Sequence, residues 1–551
     1  MRNSESPGIS RRTLLSGALA AGGLILAGCG SDGTPGSGSS GSGGTGSGGT
    51  GSGSAGSGSG GSAASSGGSS APSGAAGGGG TIRVGIPSDV TPDSAQVFQA
   101  ANQPLRRTVF DYLLDKNADG TYRPALASSY EWNSDKTSLV LTLQDGVTFH
   151  SGRSFTADDV VFSVKTAMVD GSKVQASKLL SRASDITASG KNQITVTFDK
   201  PFAGYLDALA MLPIIDQKTY ADIASGKQVV GTGPFSWKAW TPGSTLELAR
   251  NADYWRDGLP YADAVEFSVI SESQAMLAAL QSGSLDLVNR MIPRDAATLK
   301  KNSDYTVQAT EGFDVYVGVN VAVKPLDDIK VRQAIAYGLD RQRIADQVYS
   351  GFAEPSCVPW SSSTPGVTKD MIDHYTYNVD KGKALLSEAG ATGTEIELTS
   401  FASDPAYAAI AQIVQYGLEQ IGLKIKPASY DQATFTKQIQ TASFKGLWVT
   451  PVALTTMGLV TAMLTANPLK VGQNAHNFTD PQYETDVNAV LDATTDDAFA
   501  QANATLTNFM LEQAYHNTVV QAQTPNVSVA GLSGVEADLT LAIDLTKAKL
   551  A

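Results

Sequence analysis

A short polar stretch, DKNADG, has the side chains and spacing of the first half of a calcium-binding loop. Asp115, Asn117 and Asp119 are oxygen donors at the offsets from which such loops bind the ion, and Gly120 has the position of their sharp turn. The loop requires a bidentate glutamate at its twelfth position, which here is Leu126. We therefore predict a hairpin turn that ends in Asp-Gly, and no metal site.

Two glycines around a threonine, Gly231 and Gly233, could belong to a phosphate-binding loop. Pro234 follows directly, Ser236 stands where a third glycine is required, and no Lys-Ser or Lys-Thr pair comes after them. Because glycine also permits backbone conformations that other residues avoid, we expect a sharp bend or the start of a hinge here.

No motif in the sequence marks a catalytic centre. The four histidines, His150, His374, His476 and His516, lack the paired spacing that zinc sites use. No Gly-x-Ser-x-Gly motif occurs beyond residue 80, and Cys357 is expected to be a packed thiol. We therefore predict that the protein is not an enzyme and has no metal or cofactor. An enzyme would need a site that no motif marks.

The N-terminal segment has the pattern of an export signal that ends at a cysteine. Arg11 and Arg12 precede an apolar run over Leu14–Ala27, which is too short to span a bilayer. The arginine pair resembles the twin-arginine export motif, although an ordinary signal can carry such a pair. The Leu-Ala-Gly-Cys sequence resembles a bacterial lipobox, which predicts removal of the signal peptide, residues 1–28, and lipid attachment to Cys29. The alternative is a cleaved signal with an incidental cysteine.

Residues 29–80 are expected to form a flexible tether. They are mostly glycine and serine with almost no charge, and such a segment cannot bury enough apolar surface to offset its ordering entropy. At about 5–6 Å times the square root of the chain length, its reach is on the order of 40 Å. The sequence therefore predicts an extracytoplasmic protein that a lipid anchors to the cell membrane.

The chain beyond residue 80 needs at least two lobes, because single hydrophobic cores stop growing at about 250–300 residues. The formal net charge of -13 argues against nucleic acid and anionic lipid surfaces as partners.

Local patterns predict mixed α and β structure in these lobes. TEIELTSF, which ends at Phe401, is typical of a strand; a helix should begin after Asp404, and LKIKPASY should be the next strand. Such a β-α-β unit implies a parallel sheet. Thr156 with Asp159 should form a capping box, and Asp380 should cap a later helix.

Nine segments of the sequence, some of which contain stretches already described, resemble those of one known protein family. In chain order they are DYLLDKNADGTYRPALASSYEW, LTLQDGVTFHSGRSFTADDVVFSV, GTGPFSW, NADYWRDGLPYADAVEF, LQSGSLDLV, KPLDDIKVRQAIAYGLDRQRI, YSGFAEPS, KGKALLSEAG and LEQIGLKIKPASY. In their order and spacing they resemble the family 5 extracellular solute-binding proteins, the peptide- and nickel-binding subunits of bacterial ABC importers.

The resemblance implies an α/β, two-lobed periplasmic-binding-protein-like fold (class II, type C) with an inserted subdomain in lobe I. Lobe I would cover 81–319 with the insert at about 115–212, lobe II would cover 320–499, and 500–551 would return to lobe I.

The resemblance also implies a function. The chain would cross between the lobes at hinges near Asn320 and near Ala498, and the lobes would close on a solute. The protein would be a substrate-binding lipoprotein, a monomer, that captures a small solute of peptide size and delivers it to an ABC permease in the membrane. A sensor, a chaperone-like surface protein and a secreted hydrolase are the alternatives.

Three matched regions would line the cleft, and for each aromatic residue among them core packing is the alternative. Asp89, which could equally cap a strand end, is in the first region. The expected ligand-binding residues are Asp89, Val90, Trp360, Phe401, Asp404, Tyr407, Trp448, Thr450 and Met457.

One departure from the family bears on the solute. Peptide binders of the family carry an aspartate after the lobe II tryptophan, and it pairs with the peptide amine. The corresponding run here, LWVTPVALTTMGLVTAML, has no charged residue. Asp89 or Asp404 could take that role instead. The alternative is an uncharged solute, such as an oligosaccharide stacked on Trp448 or Trp360.

Overall fold

The computed structural model of the protein describes residues 79–551, except 98–99, 118–119, 170–171, 173, 224, 403, 453–459 and 538–541. The predicted signal peptide, Cys29, all but the last residues of the tether, and Met457 lie outside the described residues. All described residues belong to one unit of the chain, Ser73–Ala551.

The described strands are short except for two. They are β1 (Thr81–Ile86), β2 (Leu114–Lys116), β3 (Tyr122–Pro124), β4 (Ala127–Trp132), β5 (Ser138–Leu143), β6 (Ala183–Ala188), β7 (Gln193–Phe198), β8 (Phe235–Thr241), β9 (Thr245–Arg250), β10 (Ala264–Val269), β11 (Leu287–Val288), β12 (Tyr305–Val319), β13 (Ala353–Pro355), β14 (Glu395–Phe401), β15 (Lys424–Tyr430), β16 (Leu447–Val452), β17 (His516–Val529), β18 (Leu532–Ser533), β19 (Glu536–Ala537), β20 (Ile543–Asp544) and β21 (Lys549–Leu550).

The helices alternate with these strands. They are α1 (Gln103–Arg106), α2 (Ala157–Ala167), α3 (Ser177–Leu180), α4 (Tyr205–Met211), α5 (Tyr220–Ile223), α6 (Ser273–Gln281), α7 (Pro293–Leu299), α8 (Ile329–Tyr337), α9 (Arg341–Tyr349), α10 (Lys369–Ile372), α11 (Val379–Glu388), α12 (Pro405–Gln420), α13 (Gln432–Thr441), α14 (Val460–Thr465), α15 (Pro481–Leu491) and α16 (Asp496–Gln513). Over the described residues, no helix has both the length and the apolar character to cross a membrane.

One sheet runs through the whole described unit. Its 11 strands have the order β15-β14-β16-β12-β17-β11-β1-β10-β9-β8, with β13 beside β17. Strands β14 and β15 are parallel and α12 connects them, so the predicted β-α-β unit is confirmed. The sheet is mixed rather than purely parallel, because β12 and β17 pair in the antiparallel sense.

The long strands β12 and β17 join the two halves of this sheet. They pair from Tyr305 and Val529 at one end to Gly318 and His516 at the other. The end of the ladder near Tyr305 and Val529 lies beside β11, in lobe I. The end near Gly318 and His516 lies beside β16, in lobe II. The fold is therefore two-lobed, as the resemblance implies.

The ladder of the two long strands is irregular where the lobes meet. Its register shifts between Glu311 and Phe313. A Cβ atom on the intervening Gly312 would lie 2.8 Å from Thr524 Oγ1, so only glycine lets the strands approach this closely.

Asn320, the expected hinge residue, lies downstream of this irregularity. Its Nδ2 donates to the Phe444 carbonyl at 2.6 Å, and its Oδ1 accepts from Asn477 Nδ2 at 3.0 Å. These partners belong to lobe II. Ala498 is in the first turn of α16, which packs against α8 and α15. The hinge positions near Asn320 and Ala498 stay predictions.

A second, antiparallel sheet of 4 strands has the order β4-β5-β7-β6. It falls within 115–212, where the inserted subdomain is expected. Helix α2, between β5 and β6, begins with the predicted capping box. The Thr156 side chain accepts from the backbone of Asp159, and the Asp159 side chain accepts from the backbone of Thr156. The stretch that resembles half of a calcium loop forms the predicted hairpin, β2 with β3. There Asp115 is buried and ion-pairs with Arg107, Arg123 and Arg256.

One local prediction needs correction. The helix that Asp380 was expected to cap begins earlier, because Asn378 accepts from the backbone of Lys381 and α11 starts at Val379. The chain bends at Thr232–Pro234, as predicted, and Gly231 and Gly233 let this bend approach the backbone of Val109 closely. A Cβ atom on Gly231 would lie 1.9 Å from the Val109 carbonyl oxygen.

Candidate functional site

A cluster of aromatic side chains covers one face of the lobe II sheet. We call it the aromatic cluster; its buried members are Tyr316, Phe401, Phe435, Phe444 and Trp448, together with Ala475. The opposite face of the same strands packs on helices through side chains such as Leu398, Val315 and Val449. Because side chains alternate along a strand, β12, β14 and β16 each contribute to both faces.

The stacking in the cluster joins two of the predicted site residues through their neighbours. Phe401 stacks on Phe435 with ring centroids 4.0 Å apart, and Trp448 stacks on Phe444 at 4.4 Å. Phe435 and Phe444 meet edge to face at 5.0 Å. Such pairs contribute beyond their buried area, so the cluster forms a stiff wall.

Trp448 can lie flat against β12 because the residue opposite it is glycine. Gly318 and Trp448 are partners in the β12–β16 register. A Cβ atom on Gly318 would lie 2.1 Å from Trp448 Cε2. The indole is fully buried. It therefore offers no exposed face for stacking in this structure.

Thr450 lies on the same face of β16 as Trp448, since the two residues are separated by one position. Its side chain is buried. Met457, the last predicted residue of this region, lies outside the described residues.

Asp404 and Tyr407 lie at the N-terminus of α12, beside the cluster. Asp404 caps the helix by accepting from Ala406 N at 2.9 Å. Tyr407 is half-buried and meets Phe401 edge to face at 5.6 Å. Burial and the negative charge of Asp404 raise the pKa of Tyr407 well above its usual value, so the phenol stays neutral. The structure thus brings Phe401, Tyr407 and Asp404 together.

Asp89 and Val90 lie in lobe I, where their side chains contact other residues of that lobe. Asp89 Oδ1 accepts from Trp240 Nε1 at 3.0 Å, and its Oδ2 accepts from Gly243 N at 2.6 Å. The carboxylate therefore holds the turn between β8 and β9. Val90 is buried in the lobe I core.

Trp360 is separated from the aromatic cluster. It is buried in a different core, which it shares with α14 and α16. Its Nε1 donates to Thr507 Oγ1 of α16 at 2.8 Å. This partner satisfies the only polar atom of the indole.

The lobes touch at a buried carboxylate on α4. Asp207 Oδ1 accepts from Lys116 Nζ at 2.6 Å and from Tyr122 OH at 2.5 Å. Its other oxygen accepts from Thr461 Oγ1 of α14 at 3.4 Å. Because α4 precedes β12 in the chain and α14 follows it, this contact crosses from the lobe I side to the lobe II side.

A pair of histidines that no sequence motif marks lies beside the aromatic cluster. His476 and His516 are distant in the chain, but His516 Nδ1 lies 3.3 Å from His476 Nε2. Tyr316 stacks on His516 with ring centroids 4.0 Å apart, so the pair borders the aromatic cluster. Among the described residues, no group of three or more His, Cys, Asp or Glu side chains could hold a metal ion.

Arg290 is not among the predicted site residues either. It follows β11 in lobe I, yet it interacts electrostatically with lobe II. Burial lowers the pKa of its guanidinium, and the charges of Tyr407 and Asp404 oppose that shift. Its own charge in turn opposes the rise in the pKa of Tyr407. The signal in the sequence is an arginine directly after a buried strand, LDLVNR, where a strand end meets the cleft in folds of this kind.

A family profile described as bacterial extracellular solute-binding proteins, family 5 Middle, matches residues 121–453. Heme-binding protein A of Haemophilus influenzae is 29% identical over 380 residues, which cover 62% of this chain and 67% of that protein. Oligopeptide-binding protein AppA of Bacillus subtilis is 27% identical over 365 residues, with coverage of 62% and 67%.

A solved structure has the same fold. It is the binding protein AgaA from A. tumefaciens R10 in complex with agropinic acid, which superposes with a TM-score of 0.74 at 22% identity. The match covers 86% of this chain and 99% of that one.

Proposed function

Because this chain belongs to the bacterial extracellular solute-binding proteins of family 5, we propose that it captures a peptide or a solute of similar size between its two lobes and delivers it to the permease of an ABC importer. The observation that carries this function is the sheet itself. Within the described part of the chain, only β12 and β17 connect the lobe I strands to the lobe II strands. Two lobes joined in this way can rotate about the irregular part of the ladder and close on a solute.

The relatives support the size of the solute. One is a heme-binding protein and another is an oligopeptide-binding protein. Both kinds of ligand are larger than a single amino acid, and an aromatic wall such as the one in lobe II suits such ligands. We propose that Phe401, Tyr407, Asp404, Trp448 and Thr450 form or support the lobe II wall of the cleft.

For the remaining predicted residues, Asp89, Val90 and Trp360, the structure gives less support for contact with a solute. Asp89 and Val90 could border the cleft from lobe I, but the Asp89 carboxylate already accepts two hydrogen bonds. Trp360 could support a wall only from behind, since it is buried and bonded to Thr507.

The uncharged solute remains the second candidate, and one observation favours it. Asp404 and Asp89, the carboxylates that could replace the missing lobe II aspartate, both already accept backbone hydrogen bonds. Stacking of a sugar on Trp448 or Trp360 is disfavoured, because neither indole exposes a face.

We further propose that Cys29 carries lipid and that the glycine-rich segment tethers the lobes to the cell membrane, after export by the twin-arginine route. The basis is the sequence SRRTLL with LAGC. Replacement of Cys29 by Ser should release the protein from washed membranes. Retention of the variant with its signal removed would contradict the anchor.

Small-angle scattering tests the proposed function. Solute that co-purifies with the protein is first removed by unfolding and identified by mass spectrometry. Adding it back to the refolded protein should reduce the radius of gyration and raise the melting temperature. The same dimensions with and without a bound solute would contradict closure, and turnover of the solute would favour a hydrolase.

A further inference from the structure

Arg290 is held in a backbone conformation that few residues other than glycine adopt. Its φ is +63°. Asn526 of β17 fixes this turn, because its Oδ1 accepts from Arg290 N at 3.0 Å and from Asn289 Nδ2 at 2.9 Å. A strained residue of this kind persists only where its surroundings determine it, and such residues are frequent at ligand sites. The side chain that leaves this turn lies close enough to Tyr407 and Asp404 of lobe II to interact with their charges.

The guanidinium of Arg290 lies against the irregular part of the β12–β17 ladder. Its Cζ is 5.6 Å from the ring centroid of Phe313, the residue at which the β12 register shifts. An arginine above an aromatic ring keeps its fork of N–H groups free in the plane of the guanidinium.

The guanidinium lacks a counter-ion. Its Nη1 is buried and has no hydrogen-bond partner in the structure, and among the described residues no carboxylate lies within ion-pair distance of it. The carboxylate whose charge influences it, Asp404, is engaged in capping α12. A cation that is taken out of water without a partner is unfavourable, and a methionine of similar length would fill the same space without that cost.

We propose that Arg290 is a specificity-determining residue that binds a carboxylate of the solute. The proposal rests on the proposed function, because the solute must enter between the lobes to reach it. The guanidinium fork matches the two oxygens of a carboxylate. A peptide bound here is held by an acidic end or side chain, which explains how a cleft without a free carboxylate for the amine still selects its ligand.

Matched peptide pools test the assignment. Two pools of tri- to pentapeptides have the same sequences, one with free carboxyl ends and one with amidated ends. The mature protein should retain peptides from the acid pool. In calorimetry with a retained peptide, Arg290→Met should weaken binding of the acid by about tenfold to a hundredfold and leave the amide unchanged.

Arg294→Met is the matched control. Arg294 is close in the chain, but its side chain is 70% exposed and pairs with Asp295 at 3.3 Å. This variant should bind the acid as the unchanged protein does. Equal binding of acid and amide, or an acid preference that survives in Arg290→Met, would overturn the assignment.

The melting temperature without solute separates a binding role from a structural one. Arg290→Met should melt at the same temperature or higher, because it removes an unpaired buried cation. A clearly lower melting temperature would make Arg290 a structural residue and overturn the proposal.

If neither pool binds, peptides are not the solute, and the result counts against the proposed solute rather than against Arg290. Citrate, a small tricarboxylate, then tests the arginine directly. Millimolar citrate should then stabilise the unchanged protein and not Arg290→Met, and an equal effect on both would overturn the proposal. Inorganic phosphate in place of citrate distinguishes the two anions. Stabilisation by phosphate alone would contradict a carboxylate site.

Discussion

His516 Nε2 lies 2.7 Å from Asp314 Oδ2, and both side chains are fully buried between β12 and β17. His516 Nδ1 in turn lies 3.3 Å from His476 Nε2, and His476 Nδ1 lies 3.2 Å from the Val319 carbonyl oxygen and 3.4 Å from Val319 N. The carboxylate is thus one end of a run of polar contacts that passes through two imidazoles to the end of β12.

Removing the carboxylate should be costly. Asp314→Ala leaves a buried imidazole without its acceptor, and the loss of a buried hydrogen bond to a carboxylate costs about 1.5–3 kcal/mol of the free energy of unfolding. Urea unfolding measures the loss. The control is Asp373→Ala, which removes an exposed partner of Lys369 and should cost less than about 1 kcal/mol. Equal effects of the two variants would contradict a structural role of the Asp314 contact.

Stability should fall in mild acid because two buried histidines resist protonation. Burial lowers the pKa of His150 to about 4, and burial together with His516 lowers the pKa of His476 well below its usual value. The unfolded chain then binds more protons than the folded one below pH 6.5, so the free energy of unfolding decreases as pH falls from there toward 4.

Each histidine adds at most about 1.4 kcal/mol per pH unit to this slope. His150→Gln should flatten the slope between pH 6.5 and 4, and His374→Gln, at a partly exposed site, should change it less. Denaturant titrations at several pH values measure both. An unchanged slope in His150→Gln would contradict the lowered pKa.

Gly318→Ala should disturb the aromatic cluster through a single methyl group. The new Cβ would lie 2.1 Å from Trp448 Cε2, and overpacking of this kind costs about 1–3 kcal/mol. Trp448→Phe in the same chain should recover part of that loss, because the smaller ring makes room. Gly531→Ala, whose nearest contact would be 3.9 Å away, is the control. Additive effects of the two cluster variants would show that the methyl group and the indole do not meet.

Acetylation of a peptide amine should change its affinity little. A buried amine needs a carboxylate, and the two candidates, Asp89 and Asp404, already accept backbone hydrogen bonds. Calorimetry with matched free and acetylated peptides measures the difference. A hundredfold weakening on acetylation, about 2.7 kcal/mol, would show that an amine anchor exists.

The sequence predicts features that depend on neighbouring residues. The Thr156–Asp159 capping box and the β-α-β unit around α12 follow from spacing over a few positions, and both are confirmed. The same rules give the wrong cap at Asp380, because Asn378 is an equally good cap two positions earlier and the sequence alone does not decide between them.

Contacts between distant residues stay hidden from the sequence. His476 and His516 meet because the loop that contains His476 bonds to Val321, just after β12, and His516 of β17 pairs with Gly318 at the end of β12. No spacing in the chain reveals this contact. In the sequence, Arg290 is marked only by its place just after a buried strand. The role proposed for it depends on the turn at Asn526 and on the ring of Phe313, which only the structure shows.

The position of β17 between β12 and β11 affects how the chain assembles. This strand follows β16 and all the other strands of lobe II in the chain, so during synthesis the edges of β12 and β11 that face it stay unpaired until those strands have been made. Unpaired edges invite association with other chains, and pairing over so long a sequence separation is slow. The central strand is thus a late step of assembly, and a chain that ended before His516 would be left with two incomplete lobes and an exposed seam.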